Sequence, residues 1–169
     1  AKGRSDYPES LCKSSHRCKT NFVYKLADEG KYYFLSRPRR FGKSLFLSTL
    51  EAYFQGKKEL FKGLAIYDLE TEWKKYPIFH IDLNTANFRE KDSLYTVLND
   101  YLTTWESKYG ARESEAKLAL RFKGVIARAA EKEGCGVVIL IDEYDKPILQ
   151  TLRDPELQAE HRAQLKAFY

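Results

Sequence analysis

The sequence contains no methionine, although a cytosolic chain of this length ordinarily carries a few. It also stops inside a helical pattern, residues 155–169, with no glycine or cap beyond it. Both features predict a piece of a longer protein. Cysteine is scarce: three residues, an odd number, argue against a disulfide framework. Cys12, His16 and Cys18 are close enough to be soft metal ligands, but Cys135 abuts a core strand and no fourth partner is apparent. Reduced thiols are the better reading. No apolar run approaches the roughly 18–20 residues of a membrane span. The longest, Val137 to Ile141, suits a buried strand. The first ten residues lack the apolar stretch of a signal peptide, which predicts a cytoplasmic protein. Charge of one sign is also in short supply, since 29 basic and 24 acidic residues leave a net charge of +5. That mild excess suits phosphate-bearing ligands without marking a nucleic-acid binder.

What is present suits one domain of ordinary size. The 43% apolar and 14% aromatic residues can build a core, and the 31% charged residues a solvated surface. There is no internal repeat or low-complexity segment. Residues 1–18 are weakly patterned and read as an arm. From Lys19 the pattern sharpens. Phe22, Val23, Leu26 and Ala27 recur at helical spacing up to Gly30, and "YYFLS" follows as an expected strand. A helix is predicted over Ser44–Gln55, then an irregular connection with short helical pieces. A strand is predicted over Ile78–Leu83, and helices over about Asp92–Lys108 and Glu115–Glu133. "VVILIDE" is a continuous apolar strand, which implies burial on both faces. A last helix opens at Pro155 with Asp154 as its N-cap. Strands joined by helical crossovers predict a three-layer α/β fold with a mainly parallel sheet.

Within that order, "FLSRPRRFGKSLFLSTL" ends its loop on Gly42-Lys43-Ser44. This is the tip of a Walker A loop, G-x-x-x-x-G-K-[ST], with Arg37 where the first glycine would stand. The expected strand before it and helix after it are what a phosphate loop needs. Free N–H groups and a partial positive charge at a helix start stabilise an anion. Gly42 lets the backbone approach, Lys43 can reach the β- and γ-phosphates, and the Ser44 hydroxyl can bind Mg²⁺. The candidate nucleotide-binding stretch is therefore Arg40, Phe41, Gly42, Lys43, Ser44 and Leu45.

"VVILIDEYD" supplies the partner motif, about a hundred residues on: an apolar strand ending in Asp142-Glu143, the Walker B pattern. Asp142 is placed to hold the metal through water, and Glu143 to act as general base. A solvated basic turn and a strand ending in an acidic turn are the plain alternatives, but both motifs in the right order make coincidence a poor account. Arg39 and Arg40 serve equally as phosphate contacts, contacts to a neighbouring subunit, or a solvated pair. His80 and Asp82 share one face of their strand. Asp82 at the strand's edge is more simply a structural polar residue than a ligand contact. Trp73 and Trp105 read as packing residues.

"KYYFLSRPRRFGKSLFLSTLEAYFQGKKELFKGL", "YPIFHIDLN", "LALRFKGVI" and "VVILIDEYDKPIL" together resemble the AAA-ATPase-like domain family over Lys19–Tyr169. Arginine at the first-glycine position is that family's own habit. The resemblance implies a bacterial P-loop NTPase domain of the additional-strand, catalytic-glutamate class. Lys43 and Glu143 are then the catalytic positions, Ser44 and Asp142 the metal ligands, and ATP with Mg²⁺ the cofactors. It implies a nuclease-like region of the PD-(D/E)xK type beyond the domain, and a sensor strand just after "LKAFY". The fold is thus expected to be truncated before that strand. The family's "DKT" is here Cys18-Lys19-Thr20.

Three functions follow as expectations. The first is an ATPase driving an attached effector, completed by an arginine from a neighbouring subunit of a homo-oligomer. The second is a nucleotide-gated switch without useful turnover. The third is a nucleic-acid-binding domain using its basic loop.

Overall fold

The structure, a computed structural model, describes residues 17–36 and 42–169. The chain divides into two compact units, Ala1–Lys75 and Tyr76–Tyr169.

In the first unit, α1 (Arg17–Glu29) packs on α2 (Lys43–Phe54) and on the short α3 (Ala65–Leu69). Its core is Val23, Phe46, Leu50, Phe61 and Ile66, with the rings of Tyr53 and Trp73. Phe46, Leu50 and Tyr53 lie four and three residues apart on α2, one stripe of a helix with period 3.6. Tyr53 meets Trp73 edge-on at 5.8 Å between centroids, and Phe61 lies 5.2 Å from Trp73. The Tyr53 hydroxyl donates to the Glu70 carboxylate, whose other oxygen accepts from the Glu72 amide at 2.9 Å. Burial pushes the Glu70 carboxyl upward. The hydroxyl and the amides of Glu72, Trp73 and Thr71 outweigh it and hold the group below the ordinary value.

The expected strand at "YYFLS" does not form: residues 32–36 belong to no ladder. Tyr32 is 94% exposed, and Tyr33 and Phe34 are also exposed. β-formers make a strand only where a neighbour satisfies their backbone groups.

In the second unit, β1 (Ile78–Asp82) pairs in parallel with β2 (Val138–Asp142), Ile78 opposite Val138 and Asp82 opposite Asp142. Among the described residues these are the only strands. The fold observed is α/β with this small parallel sheet. A parallel pair needs a long crossover, and here it contains α4 (Ser93–Tyr109) and α5 (Leu118–Glu133). Leu94, Leu98 and Leu102 of α4 are fully buried, each four residues after the last. Removing each of these side chains from water stabilises the unit by about 1.5–3 kcal/mol. They share a core with Phe79, Ile81, Leu83, Phe122 and Val125. Trp105 stacks on Phe79 at 4.3 Å, and Phe122 on Phe168 at 4.4 Å. Arg121 makes a bidentate bond to Glu106 at 2.9 and 2.6 Å, and Arg128 one to Glu115 at 2.6 and 3.0 Å. The forked geometry fixes orientation as well as distance.

Two features differ from expectation. Ile139 of β2 keeps 39% of its surface exposed, so the apolar run is not covered on both faces throughout. A five-residue helix, α6 (Lys146–Gln150), follows β2 directly. The chain then enters α7 (Pro155–Phe168), where the Asp154 carboxylate accepts from the Leu157 amide at 3.0 Å, the expected N-cap.

Candidate functional site

The two motifs lie in different units. In the first unit the motif residues open α2. Gly42 is the N-cap at φ 74, ψ 31, in the left-handed region. A Cβ placed there would meet nothing within 4 Å. Glycine is therefore favoured at Gly42 by backbone conformation rather than by crowding. The Gly42 carbonyl accepts the Phe46 amide at 3.0 Å and closes the first helical turn. The N-cap glycine has no side chain with which to cap the helix, and no acidic residue sits in its first turn. Its N-terminal partial charge is thus not offset from within α2. Lys43 is half-buried, Ser44 exposed, and Leu45 73% exposed. Arg40 and Phe41, also assigned to nucleotide binding, lie outside the described residues, as do Arg37, Pro38 and Arg39.

In the second unit the acidic residues stand where the parallel strands end. Asp142 closes β2 and is 5% exposed. One of its carboxylate oxygens, Oδ1, accepts from the Glu143 amide at 2.9 Å. Glu143 itself has φ 53, a left-handed conformation in a residue with a side chain. Such a position is strained by about 1–2 kcal/mol, and strain of this kind collects at functional turns. The turn closes when the Lys146 amide donates to the Glu143 carbonyl at 2.9 Å.

Opposite Asp142 in the ladder, Asp82 ends β1. Its Oδ1 accepts from the Asn84 amide at 2.8 Å, and its backbone N–H donates to the Tyr101 hydroxyl at 3.1 Å. Asp82 thus does the structural work expected of a polar residue at a strand edge. His80 lies two residues before it, within β1.

Asp142 and Glu143, neighbours in the chain, stand at the end of β2 and in the turn that follows it. The structure adds residues to which the sequence assigned no role. The Lys146 ammonium donates to the Asn84 carbonyl at 2.5 Å and to its Oδ1 at 3.1 Å. The Gln150 Oε1 accepts from the Phe88 amide at 2.7 Å. Lys146 sits inside the "VVILIDEYDKPIL" stretch, but its partner is 62 positions away and no spacing rule links them.

Among the described residues no grouping of three or more His, Cys, Asp or Glu side chains could cage a metal. Of the three clustered candidates, Cys12 and His16 lie outside the described residues, and of Cys18 only the backbone, within α1, is described. Among the described residues no helix is long and apolar enough to cross a membrane.

A family described as "Predicted AAA-ATPase" has a model that matches residues 17–169. The chain belongs to the AAA-ATPase-like family. Within this AAA-ATPase-like chain the matched span contains both motifs and all of α1–α7. A 151-residue stretch is 40% identical to an uncharacterized protein from the vnfD 5′ region of Azotobacter chroococcum mcd 1, covering 89% of this chain. The AAA-ATPase-like chain corresponds to only 29% of that relative's length. No solved structure matches it.

Proposed function

We propose that this AAA-ATPase-like domain binds ATP with Mg²⁺ and hydrolyses it, within a three-layer P-loop NTPase fold. The observation that carries the reading is the opening of α2. A left-handed Gly42, an N-cap without a side chain, precedes Lys43 and Ser44 at a helix start with no acidic residue in its first turn. That is the local chemistry an anion requires. The donor set suits the metal as well, since the Ser44 hydroxyl and the Asp142 carboxylate are the hard oxygens Mg²⁺ prefers.

In this reading the first-turn amides and the Lys43 ammonium bind the β- and γ-phosphate oxygens. Ser44 and Asp142 would hold Mg²⁺, which would neutralise charge on those oxygens. The Glu143 carboxylate orients a water on the γ-phosphorus and accepts its proton as the new P–O bond forms. The bond from the γ-phosphorus to the bridging oxygen breaks, releasing ADP and phosphate. An arginine from a neighbouring copy would supply further positive charge in the transition state. Turnover would drive or gate a further region of a longer protein, of which a nuclease-like domain is one form.

The test is calorimetric titration with Mg-ATP together with phosphate release. Lys43→Ala is expected to lose binding. Glu143→Gln is expected to keep binding and lose phosphate release. If Glu143→Gln releases phosphate at the wild-type rate, Glu143 is not the base. If the wild type binds ATP without turnover, the domain is a nucleotide-gated switch.

A further inference from the structure

Hydrogen bonds link five residues of the second unit in a chain, and the pairing of its two ends in the ladder completes a ring. Asp82 and Asp142 are opposite each other in the parallel ladder. The Asp82 carboxylate accepts the Asn84 amide at 2.8 Å. Asn84 takes the Lys146 ammonium on two oxygens, at 2.5 and 3.1 Å. The Lys146 backbone amide holds the Glu143 carbonyl at 2.9 Å. The Glu143 amide returns to Asp142 at 2.9 Å. One lysine thus ties the turn that carries Glu143, through its own backbone, to the segment that leaves β1, through its side chain.

The ring encloses the strained residue. A left-handed glutamate persists only where its surroundings over-determine it, and two of its backbone groups are committed here, the amide to Asp142 and the carbonyl to Lys146. Gln150, one helical turn after Lys146, makes a second tie from α6 to the same segment by accepting the Phe88 amide. On the α7 side, His161 Nδ1 lies 3.4 Å from the Pro147 carbonyl, and the Gln158 side-chain amide donates to the Ile148 carbonyl at 3.2 Å. The short α6 is therefore held from two sides. Lysine matters in the ring because a charged donor reaching two oxygens is stronger than a neutral one.

We propose that Lys146 is a positioning residue for Glu143, holding that turn in register with the end of β1 so that the Glu143 carboxylate is aimed rather than free to swing. This inference rests on the hydrolytic reading above. Lys146 touches no reacting atom in it; it acts through the backbone of Glu143.

The test compares wild type, Lys146→Met and Lys146→Arg. Methionine keeps the aliphatic stem and removes the donors; arginine restores donors to the same two oxygens. Two readouts are taken on the full chain: amide hydrogen exchange, and Mg-ATP affinity with phosphate release. Lys146→Met is expected to speed exchange about 10-fold or more in residues 84–88 and 142–146 and to leave α4 and α5 unchanged. Phosphate release is expected to fall about 10- to 100-fold at unchanged ATP affinity, because a misaimed base slows chemistry without weakening binding. Lys146→Arg should recover most of both. A wild type that releases phosphate and a Lys146→Met that does so equally well sink this inference alone. A wild type that binds ATP and releases none removes the hydrolytic reading and this inference with it. Fast exchange spread over α4 and α5 would make Lys146 a general stability residue and overturn the positioning role.

Discussion

Glu143 at φ 53 makes an unusual demand on stability. Compare Glu143→Ala with Glu143→Gly. Both remove the same carboxylate and whatever it contacts, so those losses cancel in the difference. What remains is backbone preference. An alanine forced into the left-handed region is disfavoured by about 1–2 kcal/mol relative to glycine. Glycine gives back roughly 0.4–1 kcal/mol through the larger entropy of its unfolded chain. The glycine variant should therefore be the more stable, by about 0.5–1 kcal/mol, a factor of about 2–5 in the folded-to-unfolded ratio. For a chain of this size the melting temperatures should differ by about 1–4 °C. Urea titration followed by far-UV circular dichroism measures it, with Lys123→Ala and Lys123→Gly as the internal control. Lys123 is exposed within α5, where alanine should instead be the more stable by about 1 kcal/mol. If glycine and alanine rank the same way at both positions, the turn after β2 is not left-handed and the strain does not exist. Neither Glu143 variant should hydrolyse ATP, so the position would give up stability for function.

Two further predictions concern α5 and Glu115 in the loop before it. A Cβ on Gly124 would fall 2.0 Å from the Glu115 carboxylate oxygen that Arg128 holds. Gly124→Ala should therefore destabilise the wild type but stabilise a Glu115→Ala background by about 1 kcal/mol, where only helix propensity remains; in thermal or urea unfolding, the same sign in both backgrounds would show that the carboxylate moves aside freely. The Arg128 guanidinium holds the Glu115 carboxyl below its ordinary value of 4.5. A depressed folded-state value means the contribution is complete above that value and fades as pH falls through the lower folded one, so wild type should lose more stability than Glu115→Gln between about pH 6 and about pH 3; parallel pH profiles for the two would refute the assignment.

Much of this molecule could be read from local pattern. The stripes on α4 and α5 appear in the sequence because one face of each is apolar at helical spacing, whereas α2 is apolar on more than one face, so its buried Phe46, Leu50 and Tyr53 do not stand out from the exposed Leu45. Asp154-Pro155 announces α7 by its chemistry alone. The strand at "VVILIDE" and its acidic end were legible for the same reason. Other features depend on what a segment meets. "YYFLS" has the composition of a strand but belongs to no ladder. α6 is five residues long with Pro147 near its start, too short for periodicity to register. Ile139 looks like any other apolar residue of its run, and its exposure depends on which faces of β2 are covered. The left-handed turn at Glu143 goes against residue preference, so no propensity could reveal it. The bond from Lys146 to Asn84 joins positions that only the parallel pairing of β1 with β2 brings near. The Gly42-Lys43-Ser44 and Asp142-Glu143 motifs were visible as spacing; the ring that holds Glu143 was not.

The aromatic packing has a practical consequence. The chain has two tryptophans, and each unit holds one. Trp73 sits against Tyr53 and Phe61 in the first, and Trp105 lies flat on Phe79 in the second. Each indole is an optical reporter for its own half once the other is replaced. With Trp73→Phe the remaining fluorescence follows only the half that carries Asp142 and Glu143. With Trp105→Phe it follows only the half that carries Gly42, Lys43 and Ser44. The melting of either half, and its response to added nucleotide, can then be watched without attaching a dye.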